Sequence, residues 1–133
     1  MNEVLSELND RISKNPEEGF VENFKNCEGV ECFEGTGRKK YQGFIFQPIS
    51  AWEEQIDAEF NHKVECVNNF DENKKSIAWY RESDQTILKI DEVPDHVDSE
   101  MPDLNTYRAD ICMFVMDDQQ DFENVVDKIV MAN

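Results

Sequence analysis

The chain has 133 residues, 39% of them apolar, with 30 acidic against 13 basic side chains and a formal net charge of −17. That charge excludes a protein that grips DNA or RNA through its overall field, because phosphate affinity rests on Lys and Arg displacing counterions, and one held to anionic membrane surfaces. Nine Phe, two Trp and three Tyr can fill a core, so one ordered domain over 1–133 is expected.

Leu5, Leu8 and Ile12 share one helical face of 1–14. Asn15-Pro16-Glu17-Glu18 then reads as an N-cap, a first-turn proline and a capping-box acid, opening a short helix over 16–26 that buries Phe20, Val21 and Phe24. Residues 30–33 and 41–46 have strand character and flank Gly35-Thr36-Gly37-Arg38-Lys39-Lys40, a hairpin with a basic, glycine-containing turn. Ser50 and Glu53 form a capping box for a helix over 51–61, with Trp52, Ile56 and Phe60 on one face. Strands at 64–68, 76–81 and 86–93 follow, joined by short polar connections that suit an antiparallel meander.

Residues 91–106 hold two prolines and no Lys or Arg, and read as a long acidic surface loop. Residues 107–116 return to strand character, apolar throughout their second half, as in a central strand covered on both faces. Asp117 or Asp118 caps a final helix whose stripe is Phe122, Val125, Val126, Ile129 and Val130. The order α-α-β-β-α-β-β-β-β-α lacks regular β-α alternation. It predicts an α+β domain: a mostly antiparallel sheet of five or six strands, with N- and C-terminal helices packed on it.

Catalytic patterns are missing. No P-loop, dinucleotide fingerprint, zincin helix, nucleophile elbow or EF-hand occurs. Glu34-Gly35-Thr36-Gly37-Arg38 resembles a phosphate loop but lacks the following Lys-Ser/Thr and helix, so a hairpin turn is the better reading. Cys27, Cys32, Cys66 and Cys112 form no tight C-x2-C pair, and reduced thiols are expected rather than zinc or disulfides. His62 falls at the end of the 51–61 helix, and His96 lies among acids that favour its charged form. No carboxylate pair stands out for glycosidase work, and Asp103 with Asp110 lacks the Glu-x-Lys that would complete a metal-dependent nuclease. No cofactor, metal or catalytic residue is assigned. No segment is apolar enough for a membrane span or signal core, so the expected compartment is the cytoplasm.

The charge is unevenly spread. Residues 91–133 carry 12 acids against Arg108 and Lys128, a net −10 of the total −17. Such clustering suits a surface that meets a basic partner, because complementary charge speeds encounter and selects the partner. The expected function is therefore an acidic inhibitory binding protein of the immunity-protein or antitoxin kind. It would neutralise a basic toxin, nuclease or other nucleic-acid-binding protein. The alternatives are a phage DNA mimic acting against restriction or CRISPR systems, and an enzyme of unrecognised type. The candidate contact residues are Asp91, Glu92, Asp95, Asp98, Glu100 and Asp103 of the acidic loop, with Trp79 and Tyr80. Trp, Tyr and Arg dominate interaction hot spots, and Trp79-Tyr80-Arg81 is the triplet of that kind; the competing reading puts Trp79 in the core and leaves Tyr80 half exposed.

Overall fold

The computed structural model describes residues 14, 17–27, 30–45, 49–68, 74–96 and 106–131. The helix expected over 1–14, apart from Lys14, and the Asn15-Pro16 cap lie outside them. The elements are α1 (Gly19–Lys25), β1 (Glu31–Gly35), β2 (Arg38–Ile45), a 3-10 turn (Ile49–Ala51), α2 (Glu53–Asp57), β3 (His62–Glu65), β4 (Ser76–Arg81), β5 (Thr86–His96), β6 (Thr106–Met116) and α3 (Gln119–Met131). The strands form one six-stranded sheet in the order β1-β2-β6-β5-β4-β3, antiparallel at every pairing. This is the α+β architecture expected. β3 to β6 form the meander, and the early β1–β2 hairpin docks on the free side of β6. The last strand in sequence thereby becomes central, which explains its apolar second half.

Strand alternation sorts side chains onto two faces. Ile77, Trp79, Leu88, Ile90, Ala109, Ile111 and Met113 point to one face and are almost fully enclosed beneath Phe20, Phe24, Trp52 and Ile56 of α1 and the α2 segment. Ile87 and Met116 point the other way and pack with Phe122 and Val126 of α3, with Tyr80, Phe114, Val125 and Ile129 partly buried around them.

Several local expectations change. Arg38, Lys39 and Lys40 belong to β2, because Gly35 pairs with Arg38 and only Thr36 and Gly37 form the turn. Gly37 sits at φ +79, where a side chain would be strained. The Ser50/Glu53 capping box does not form: α2 is entered through the 3-10 turn, with no side-chain cap at Trp52, and Glu53 instead receives Lys63 and Lys75. That helix ends at Asp57 rather than 61, although Trp52, Ile56 and Phe60 are buried as expected. His62 accordingly opens β3 instead of closing a helix, and β3 stops short of the 68 predicted.

The expected acidic loop is shorter too. β5 runs on to His96, paired with Thr106 at the start of β6 and with an irregularity between Pro94 and His96. Pro94 is tolerated at that irregularity, where the ladder is already interrupted. Asp118 does cap α3, accepting the backbone N–H of Asp121 at 2.9 Å.

Candidate partner-binding surface

The topology gathers three junctions at one end of the sheet: the Thr36-Gly37 turn, the turn from Glu82 to Gln85, and the Asp117-Asp118 link between β6 and α3. Backbone bonds tie them together. Asp117 N–H donates to Gly37 O at 2.9 Å and Met116 N–H to Gln85 O at 3.1 Å. The Gln85 side chain returns a bond to Met116 O at 2.7 Å, from a residue held at φ +55. Exposed on this fastened end are Glu82, Asp84, Asp117 and Asp118.

An open cleft of about 510 Å³ continues this end onto the α1/α2 side, lined by Glu17, Glu18, Glu22 and Glu59 with Arg81. Glu59 has a structural task there. Its carboxylate accepts the backbone N–H groups of Phe20 and Val21, closing the start of α1 in place of a local cap. Gly19, at φ +80, lets the two approach, since a Cβ there would lie 2.6 Å from the carboxylate.

Arg81 joins cleft and loop end. It stacks over Phe60 at 4.8 Å, donates to Glu59 O at 3.0 Å and forks onto both oxygens of Asp84 at 2.8 Å. Burial raises the Asp84 pKa, but hydrogen bonds from Arg81 and Thr86 outweigh it and hold the carboxyl below its usual value. Nearby, His62 stacks on Tyr80 with centroids 4.5 Å apart and lies 3.0 Å from Glu82.

Several other basic side chains among the described residues meet the molecule's own acids, while Lys40 lies over the Phe114 ring. Arg38 holds Asp121, Lys39 meets Glu34, Lys63 meets Glu53 and Asp57, and Lys89 meets Asp91. Asp117 and Asp118 have no base within 4.0 Å among the described residues.

The residues singled out in the sequence fare differently. Trp79 is fully buried, its indole N–H donating to Asp57 at 2.9 Å, so it belongs to the core and is removed from the contact surface. Tyr80 is half-buried between His62 and Phe122 of α3. Asp91 is half-buried and accepts from Lys89 at 3.0 Å and from the Ser76 hydroxyl. Glu92 is 5% exposed; it accepts the backbone N–H groups of Ile49 at 2.7 Å and Lys75 at 3.3 Å. Those two carboxylates fasten the fold rather than face a partner. Asp95 lies on β5, but its side chain, together with Asp98, Glu100 and Asp103, is outside the described residues. His96 and Thr106, the described residues that border Asp98, Glu100 and Asp103, pair at the end of the sheet opposite Asp117, across a strand roughly 35 Å long. Of the described acids in the last third, Asp117 and Asp118 stand at the loop end, Asp91, Glu92 and Asp110 lie within the strands, and Asp121, Glu123 and Asp127 lie on α3.

Glu17, Glu18, Glu59, Glu82 and Asp84 were missed because they are scattered in sequence. The turn after β4 brings Glu82 and Asp84 to the same end of the sheet as Asp117 and Asp118, and Arg81 links that turn to the cleft lined by Glu17, Glu18 and Glu59.

Among the described residues no group of three His, Cys, Asp or Glu could hold a metal ion, and no helix is long and apolar enough to cross a membrane. Burial, aided by Asp91 and opposed by Lys40 and Lys89, pushes the Cys112 thiol up, away from the thiolate a nucleophile needs. No family model, curated protein or solved structure matches the chain.

Proposed function

We propose that the protein is an acidic inhibitory binding module of the immunity-protein or antitoxin kind. It neutralises a basic protein, such as a toxic nuclease, by covering that protein's active or nucleic-acid-binding surface. The observation carrying this reading is the loop end. Glu82, Asp84, Asp117 and Asp118 project from backbone-bonded turns, beside an acid-lined cleft; Asp117 and Asp118 meet no base among the described residues, while Arg81 forks onto Asp84, His62 meets Glu82 and Arg38 holds Asp121. Rigidly held charges steer a basic partner and cost little ordering entropy on docking. The cleft accommodates one Lys or Arg side chain of that partner as an anchor.

The surface is drawn from three junctions and is compact. That favours one cognate partner over a DNA mimic, which needs carboxylates in a phosphate-like row. The test is to capture partners from the source cells and assay each for inhibition by the purified chain. A basic partner inhibited at one-to-one stoichiometry, with Asp117→Asn/Asp118→Asn/Glu82→Gln slowing association, supports the reading. Partners that are acidic, or a variant that binds and inhibits unchanged, would overturn it.

A further inference from the structure

A sheet that does not close into a barrel leaves two edge strands, and each presents unpaired backbone groups to other chains. Among the described residues the edges are β1 and β3, and they differ. β3 has four residues; its Lys63 is drawn onto Glu53 and Asp57, and Glu65 and Glu82 stand at its two ends. β1 has five residues, all exposed, and at its centre is Phe33, 48% exposed, where a protected edge would carry a charge.

β1 is also where the acidic surplus disappears. Glu34 faces Lys39 on the paired strand, Phe33 faces Lys40, Gly35 faces Arg38 and Glu31 faces Gln42; with two acids against three bases this hairpin is locally basic by one charge in a chain of −17. A second copy meets least repulsion there.

The register of β1 is self-complementary. A two-residue turn closes on a hydrogen-bonded pair, Gly35 with Arg38, so pairing toward β2 alternates back along the strand through Phe33 and Glu31. Cys32 and Glu34 are left with N–H and C=O groups pointing outward. An antiparallel copy centred on Phe33 sets Cys32 against the partner's Glu34, and Glu34 against the partner's Cys32. Both outward sets are then satisfied, Phe33 stands against its own counterpart in the close non-hydrogen-bonded position, Glu31 faces the partner's Gly35, and no like charges are opposed.

We infer that the protein self-associates through β1, two copies pairing antiparallel about Phe33 to make one continuous twelve-stranded sheet. Such an interface is isologous, as a two-fold dimer requires. It is also small, in the range of weak and reversible contacts, and leaves the loop end with Asp117 and Asp118 uncovered. Because the two copies repel overall, added salt strengthens the dimer, the opposite of its effect on capture of a basic partner.

The test is sedimentation of the full chain over a range of concentrations and salt, with two variants. The wild type should form dimers that increase with both. Phe33→Lys, at an exposed position, should keep the fold by circular dichroism and weaken the dimer by about tenfold or more, as loss of a central interface residue does. Phe33→Cys in a Cys32→Ser background should give a disulfide-linked dimer on mild oxidation, because directly opposed non-hydrogen-bonded residues lie about 4.5 Å apart, within disulfide reach. A wild type that stays monomeric, a dimer that survives Phe33→Lys, or an absent crosslink would each overturn the inference. None of these results depends on the identity of the basic partner.

Discussion

The two faces of the sheet are built differently. Beneath α1 and α2, large side chains from three central strands are enclosed almost completely, and polar groups lock the layer: Trp79 to Asp57, Glu92 to Ile49, Glu59 to the start of α1. Beneath α3 the buried apolar cluster among the described residues is smaller, Ile87, Met116, Phe122 and Val126, and the helix carries Val130 and Met131 exposed at its end. The first face supplies most of the stability. The second supplies a helix whose N-terminal end positions Asp117 and Asp118.

The sharpest way to break that contrast is to truncate one residue on each face. Trp79→Ala should cost about 3–5 kcal/mol, the range for large aromatic truncations in cores, and should unfold the whole domain earlier in denaturant titrations. Phe122→Ala should cost less, about 2 kcal/mol, because the margin of α3 can relax into the space. Its signature is local: amide exchange should quicken in α3 and stay slow in β4 to β6. Equal losses, or global loosening from Phe122→Ala, would put the two faces on the same footing.

Acid should act on the first face. Hydrogen bonding from Lys63, against burial and with help from Lys75, holds Glu53 below its usual pKa. For Asp57 the Trp79 indole is the main cause, with Lys63 assisting. Depressed carboxylates stabilise the fold above their unfolded pKa values and lose that contribution as pH falls through the folded ones. Stability should therefore decline from about pH 5 downward, and Asp57→Asn should flatten the decline; an unaltered pH profile would remove this network from the ledger of the first face. Smallest is the link from α3 to the sheet, Arg38 to Asp121 at 2.9 and 3.1 Å. Both side chains are more than a third exposed or nearly so, and Asp121→Asn should cost under about 1 kcal/mol in thermal unfolding.

Much of the fold was legible because its signals are local. The period-two runs gave β4 at its observed bounds and the hairpin of β1 and β2, and the Phe122/Val126 stripe with Asp118 gave α3. What failed depended on distant partners. Ser50 and Glu53 match a capping box, but Glu53 finds Lys63 and Lys75 across the fold. Asp91 and Glu92 fall both in the strand expected over 86–93 and in the overlapping acidic loop; β5 keeps them, with Ser76, Lys89 and the Ile49 N–H bonding their carboxylates. Trp79 was assigned to both core and surface by composition, and only the enclosing α1 and α2 decide between them. The candidate surface was the least legible, since its acids come from four separate stretches of chain.

The most direct measurement is the association rate of the captured basic partner with the wild type and with Asp117→Asn/Asp118→Asn/Glu82→Gln, at several salt concentrations. The expected result is a wild-type rate that falls steeply as salt rises, and a variant that associates more slowly with a shallower slope. Identical rates and slopes for the two proteins would contradict a function seated on the loop end.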